Sequence, residues 1–65
     1  MTSTQPEDVA TELDLVRADG IRQYNAAARL LNKAEETRDH ARRRDLMERC
    51  QYHTELAKAA ALLTR

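Results

Sequence analysis

An apolar stripe with the spacing of one helix face runs through the first half of the chain. Its members follow one another at steps of three or four residues: Val9, Leu13, Val16, Gly20, Tyr24, Ala27, Leu31 and Ala34. This spacing places side chains on one side of an α-helix. A loop at Asp19-Gly20 would have no reason to keep that phase. The pattern therefore predicts one long helix, continuous or bent, over residues 7–36.

Gly20 leaves an alternative open. Glycine costs about 1 kcal/mol relative to alanine inside a helix, and it is common just after a helix ends. Asp19-Gly20 can therefore also be interpreted as the end of a short first helix. In that case the chain forms a three-helix bundle with a break at Gly20. We favour the long helix because the apolar phase is kept across the glycine.

A change in the helical phase of the apolar positions predicts a second helix. Continuing the first stripe beyond Ala34 would put charged side chains on the packing face. The apolar positions instead resume as Leu46, Cys50, His53, Ala57, Ala60 and Leu63. The polar segment 35–40 predicts a tight connection, with Thr37 or Asp39 as the N-cap of a helix over residues 39–64. Two helices of similar length predict an all-α antiparallel hairpin, whereas a single helix in a parallel coiled coil would have kept its heptads.

The N-terminal residues differ from the rest in composition. Residues 1–5 are small and polar, and we expect a disordered tail there, followed by a single helical domain over residues 6–65. Thr4 is the predicted N-cap of the first helix. Pro6 then falls in the first turn, where proline is tolerated because its missing N–H has no intrahelical partner.

Small size limits the core that one copy can build. A chain of 65 residues with one cysteine has no disulfide within itself and few large apolar side chains. We therefore expect a second copy or another protein to complete the core, with two hairpins forming a four-helix bundle. Small residues predict close helix packing at Gly20, Ala27, Ala57 and Ala60, with Leu56 placed opposite Gly20.

Charge is balanced overall but uneven along the chain. Residues 1–20 carry five acids and one base, and residues 37–65 carry seven bases and four acids. An acidic start and a basic finish favour an antiparallel arrangement. The most concentrated positive charge predicts possible contact with nucleic acid or an acidic partner through Arg38, Arg42, Arg43 and Arg49. Acids interleave with these arginines, so a salt-bridged surface is the favoured interpretation.

The ionisable side chains do not form a convincing reactive site. Cys50 and His53 are three residues apart and share a helix face, but two ligands do not close a zinc site, and His40 is far along the helix. A Cys-His nucleophilic pair would also need a group that orients the histidine. We therefore expect no catalytic activity, no metal, no cofactor and no small-molecule substrate, with Cys50 in the core and His53 at its edge.

One segment of the second helix resembles a known family. Arg49-Cys50 followed by Leu56-Ala57 is similar to the last helix of MIT domains, three-helix bundles that bind helical tails of membrane-remodelling proteins. Tyr52 stands one position away from the family's tyrosine, and the first helix is shorter than the family requires. The resemblance identifies no family, but it implies that a groove between helices can accept a partner helix.

These features together predict a small non-enzymatic interaction module, acting as an adaptor, inhibitor or regulator. Its expected partners are a second copy and another protein, bound through an amphipathic helical surface at Tyr24, Leu31, Tyr52, Leu56 and Leu63. A nucleic-acid-binding regulator is the alternative. The sequence has no apolar run long enough to span a membrane and no signal-peptide pattern at its start, so we expect a cytoplasmic protein that does not bind membranes.

Overall fold

Two helices packed side by side make up the protein. The computed structural model describes the backbone of residues 6–65 and the side chains of residues 11–65. Helix α1 runs over Pro6–Glu36 and helix α2 over His40–Leu63. They lie antiparallel. The resulting body measures 58 × 17 × 15 Å, so it consists of one layer of two helices. The predicted two-helix hairpin is confirmed, and each helix boundary lies within one residue of its expected place.

Helix α1 passes through Gly20 without interruption. Among the described residues no glycine has a positive φ, so Gly20 keeps an ordinary helical backbone. The three-helix alternative is therefore wrong. Pro6 begins the helix, in keeping with its place in the first turn, whereas Thr4 and the expected tail over residues 1–5 lie outside the described residues.

The connection between the helices is short, and its residues cap the end of α1 and the beginning of α2. Asp39 is the N-cap of α2, and its carboxylate accepts hydrogen bonds from the N–H groups of Ala41 at 3.0 Å and Arg42 at 3.4 Å. Thr37, the other candidate cap, belongs instead to the end of α1. Its N–H donates to the Ala34 carbonyl at 3.2 Å, and its hydroxyl donates to the Lys33 carbonyl at 2.6 Å.

Arg43 ties the first turn of α2 to the last turn of α1. Its Nε donates to the carbonyl oxygens of Ala34 at 3.2 Å and Thr37 at 3.1 Å, and its Nη2 donates to Thr37 as well. Both carbonyls lie at the negative end of α1, and the Ala34 carbonyl also accepts from the Thr37 N–H. The guanidinium therefore stabilises the turn electrostatically as well as by hydrogen bonds.

A row of buried and half-buried residues runs along each helix where the two meet, and we call this contact the seam. In α1 it comprises Val16, Gly20, Gln23, Ala27, Leu30, Ala34 and, just past the helix, Thr37. In α2 and its C-cap it comprises Leu46, Cys50, His53, Ala57, Ala60 and Thr64. Both rows advance by alternating steps of four and three, which is the heptad spacing of a coiled coil.

Among the described side chains the seam differs from the predicted stripes at four positions, and the first is Leu13, which is 38% exposed. The side chain of Val9 lies outside the described residues. Tyr24 and Leu31 are 67% and 40% exposed, and Gln23 and Leu30 take their expected places beside α2. In α2, Leu63 is 68% exposed, and the adjacent Thr64 is half-buried instead. The small side chains along the seam bring the helix axes close together, so a tyrosine ring is displaced to the flank.

Candidate interaction surface

Gly20 marks the closest approach of the two helices. A Cβ atom at this position would lie 2.8 Å from the Cβ of Ala60 and 4.0 Å from the carbonyl oxygen of Ala57. The expectation that Leu56 faces Gly20 is therefore wrong, since the facing residue is Ala60, one helical turn further on. A leucine at that point would need a wider separation between the helices. The structure places the four expected packing residues, Gly20, Ala27, Ala57 and Ala60, along the seam.

A groove runs along one flank of the seam, and we call it the interhelical groove. Its central part has a volume of about 480 Å³ and a floor of Ala27, Cys50 and Ala57. Tyr24 and Leu31 of α1 form one wall, while α2 contributes the other. The groove continues toward the chain ends past Arg17, Gly20 and Ile21, and toward the connection past Ala34, Glu35 and Met47. Small floor residues between larger walls leave space for side chains from another helix.

The α1 wall of the groove is itself a regular row, which we call the outer stripe. It consists of Arg17, Ile21, Tyr24, Ala28, Leu31 and Glu35, all of them exposed. Its steps alternate between four and three, as in the seam. A helix with two parallel heptad rows can pack against two other helices at the same time.

The other flank of the seam carries the remaining expected partner-binding residues. Tyr52 and Leu63 are 62% and 68% exposed, and Leu56 is half-buried between them. Their spacing puts all three on one stripe of α2, on the side away from the groove. We call this surface the Tyr52 flank. The five residues expected to bind partners therefore form two surfaces, with Tyr24 and Leu31 on the groove and the others on the Tyr52 flank.

Cys50 and His53 both lie in the seam and are engaged with α1. The Cys50 thiol is buried and donates to the carbonyl oxygen of Ala27 at 3.3 Å. His53 donates from Nδ1 to the side-chain oxygen of Gln23. The rings of His53 and Tyr52 are arranged edge to face, with their centroids 5.3 Å apart. His40 is exposed at the start of α2. Among the described residues, no three His, Cys, Asp or Glu side chains are grouped so that they could hold a metal ion.

The arginines of the basic segment do not form one surface. Arg38 lies in the connection, before α2 begins, so it does not share a helix face with Arg42 and Arg49. Arg43 is bonded to the end of α1 as described above, and Arg49 pairs with Asp45 at 3.3 Å. Arg43 thus has a structural role at the turn, while Arg38, Arg42 and Arg49 are exposed.

The hairpin also separates opposite charges that the sequence led us to expect side by side. The end of α2 lies beside the interior of α1, since Arg17 donates to the carbonyl oxygen of Thr64 at 3.3 Å and α1 begins eleven residues earlier, at Pro6. However, five of the seven bases of residues 37–65 lie between residues 38 and 49, next to the connection. The acidic beginning of α1 is at the other end of the hairpin. Charge pairing between the chain's two ends therefore contributes little to the fold.

Comparison of the chain with protein-family models, with curated proteins and with solved structures found no match. In the part of the chain that the structure describes, neither helix combines the length and apolar character needed to cross a membrane. The surfaces of the hairpin are therefore the features from which its function is inferred.

Proposed function

We propose that this protein is a small non-enzymatic interaction module that self-associates through the groove side and binds another protein through the Tyr52 flank. Two hairpins would then form a four-helix bundle. The observation that supports this most is an inverted distribution of side chains. Among the side chains of residues 11–65 the buried ones are small apart from one leucine: Ala27, Ala34, Leu46, Cys50 and Ala60. Large apolar side chains such as Tyr24 and Ile21 are exposed instead.

The accessible surface supports a missing partner in quantitative terms. The protein exposes 5490 Å². A compact monomer of 7.5 kDa is expected to expose roughly 4,200 Å². The excess of about 1,300 Å² reflects the elongated hairpin together with its exposed apolar side chains, and a second copy packed in the groove would cover part of it.

The Tyr52 flank has the chemistry of a second and separate contact. Tyrosine supplies a large apolar ring at low entropic cost and is enriched among residues that dominate binding energy. Tyr52, Leu56 and Leu63 are spaced by four and seven residues, so a partner helix can contact all three. An adaptor, inhibitor or regulator would use such a surface. The alternative of nucleic-acid binding draws less support, because Arg43 is bonded to the end of α1 and acidic side chains such as Asp45 interleave with the other arginines.

The two tyrosines provide a matched test of this division. They are exposed to nearly the same extent, at 67% and 62%. We expect Tyr24→Ala to weaken dimerisation by about 2 kcal/mol, the size of a typical interface hot spot. Tyr52→Ala should dimerise like the unmodified protein. Sedimentation equilibrium across a concentration series measures both dissociation constants.

A cooperatively folded monomer at every concentration would contradict the self-association. An equal loss of dimer in both variants would contradict its assignment to the groove side. For the second contact, proteins cross-linked to the unmodified chain in its native host are compared with those captured by each variant. A partner lost with Tyr52→Ala and kept with Tyr24→Ala supports the assignment, and the absence of any such partner contradicts it.

A further inference from the structure

The order of residues along the outer stripe is symmetric about the level of residue 26. Tyr24 and Ala28 are equally distant from that level, and so are Ile21 and Leu31. Arg17 and Glu35 form the third such pair. The first pair matches a large side chain with a small one, and the second matches two apolar side chains. The third pair matches a base with an acid.

This symmetry has a direct geometric meaning. A two-fold axis perpendicular to α1 at the level of residue 26 brings a second copy of α1 alongside in the opposite direction. Each residue of the outer stripe then meets its equivalent from the other side of the midpoint. Because the stripe has heptad spacing, the two rows stay in contact along their length. The groove beside Ala28 gives the Tyr24 ring of the second copy a place to pack.

The charges at the two ends of the stripe are accessible for such a contact. The Arg17 side chain is 55% exposed, although it contacts Asp14 at 3.3 Å and the carbonyl oxygen of Thr64 at 3.3 Å. A guanidinium has five N–H donors, so these two contacts leave others for a carboxylate. Glu35 is exposed and lines the groove near the connection. Each symmetric dimer contains this pair twice.

The charges of the outer stripe favour the same orientation. Antiparallel copies pair Arg17 with Glu35 at both ends of the stripe. Parallel copies would place Arg17 on Arg17 and Glu35 on Glu35, so that like charges meet.

We propose that the occupant of the interhelical groove is a second copy of this chain, with the two α1 helices antiparallel, Tyr24 packed over Ala28 of the other copy, and Arg17 paired with Glu35 of the other copy. The inference depends on the self-association proposed above and specifies its geometry. It makes the outer stripe the determinant of both partner choice and orientation.

Charge exchange on the stripe is the decisive experiment. Arg17→Glu places two like-charged pairs in each dimer and should raise the dimer dissociation constant on the order of tenfold at low salt. The double variant Arg17→Glu with Glu35→Arg should restore dimerisation, because both pairs again join opposite charges. The effect should shrink as salt screens the pairs.

Arg22→Glu is the matched control. Arg22 pairs with Asp19 at 3.2 Å in the same three-residue spacing as Arg17 with Asp14, but it lies off the outer stripe. It should leave the dissociation constant unchanged. In a parallel dimer Arg17 would meet its own equivalent, so Arg17→Glu would replace one like-charged pair with another and change little.

The distance between the two connections gives an independent measurement. A spin label is attached at Arg38→Cys in a Cys50→Ala background, after sedimentation shows that this background still dimerises. Antiparallel copies place the two labels roughly 35 Å or more apart, from 12 residues on each side of the axis at 1.5 Å per residue. Parallel copies place them about 10 Å apart, the spacing of packed helices. The charge variants retain Cys50 and test the proposal on their own if the background fails to fold.

The outcomes separate this inference from the proposed function. A monomer at all concentrations overturns both. A dimer whose dissociation constant is unchanged by Arg17→Glu, or whose labels lie about 10 Å apart, overturns the antiparallel arrangement. Self-association would still stand. A tenfold weakening that the double variant reverses, together with long label distances, supports the arrangement.

Discussion

Two rows with the same heptad spacing run along α1, and their compositions are opposite. The seam carries Gly20, Ala27 and Ala34 at seven-residue intervals. The outer stripe carries Tyr24 and Leu31 at the same interval, and these side chains are exposed. Gly20, Ala27 and Ala34 face the helix of the same chain, whereas Tyr24 and Leu31 face outward. In a self-sufficient monomer the large residues would form the core.

The difference shows that the two surfaces have separate roles. The seam allows the two helices to approach closely, and the outer stripe carries the apolar area that is available for burial. Small side chains along the seam bring the helix backbones near each other, so the contact is tight but removes little apolar area from water. The larger area is available only on the outside of the hairpin. Changes in the seam should therefore act on the hairpin itself, while changes in the outer stripe should act on association.

Neighbouring alanines give the largest expected contrast. Ala27 is buried in the seam, whereas Ala28 is exposed on the outer stripe. Ala27→Leu adds volume where the helices touch and should cost about 2 to 3 kcal/mol of unfolding free energy. Ala28→Leu should keep the helical content and weaken the dimer, because it fills the place proposed for Tyr24. Denaturant melts followed by circular dichroism at one fixed concentration compare the two. Equal loss of stability in both variants would contradict the separation of the surfaces.

A smaller effect is expected at Gly20, where two terms oppose each other. Gly20→Ala gains about 1 kcal/mol of helix propensity. Its new Cβ would lie 2.8 Å from the Cβ of Ala60, and neither atom can move without its backbone. We expect the separation of the helices to outweigh the gain, giving a net loss of about 1 kcal/mol. The same denaturant melt measures this loss.

The exchange variant isolates the cause at this contact. Gly20→Ala combined with Ala60→Gly moves the methyl group from one helix to the other and keeps the pair's total size. It should be more stable than Gly20→Ala alone. If Gly20→Ala raises the stability of the protein, then the close approach at Gly20 contributes less than helix propensity does.

Equal or smaller effects are expected at the connection, which positions the seam without touching the outer stripe. Asp39→Ala removes the N-cap of α2 and should cost about 1 kcal/mol. Thr37→Ala removes one hydroxyl bond at the end of α1 and should cost about 0.5 kcal/mol. Thermal melts rank the two variants. Sedimentation should give both an unchanged dimer dissociation constant once their folded populations are equal, and a large change there would mean that the connection takes part in association.

Much of the hairpin was predictable because the relevant signals are local. Pro6 and Asp39 mark the beginnings of helices through their own backbone and side-chain chemistry. The phase kept across Gly20 predicted a continuous helix, and the phase lost after Ala34 predicted the connection. Each of these signals depends on residues within a few positions of one another, so no knowledge of the partner helix was needed.

The membership of the seam was less predictable, since neighbouring rows on a helix differ by a small rotation. Tyr24 and Leu31 fit the apolar pattern better than Gln23 and Leu30, and they were assigned to the seam. If the steps alternate strictly between four and three residues, the position that follows Gly20 is Gln23 and not Tyr24. The polar character of Gln23 hid this, because its partner His53 is 30 positions away in the sequence.

By itself the sequence determined the two helices, their ends and their antiparallel packing, because helix propensity, capping and apolar periodicity act over short distances. Only the tertiary structure decided that Ala60 faces Gly20, that Arg43 caps the other helix, and that Tyr24 and Tyr52 lie on different flanks. These features depend on the rotation and separation of two helices. Both are set by how facing side chains fit together, and each helix alone carries only half of that information.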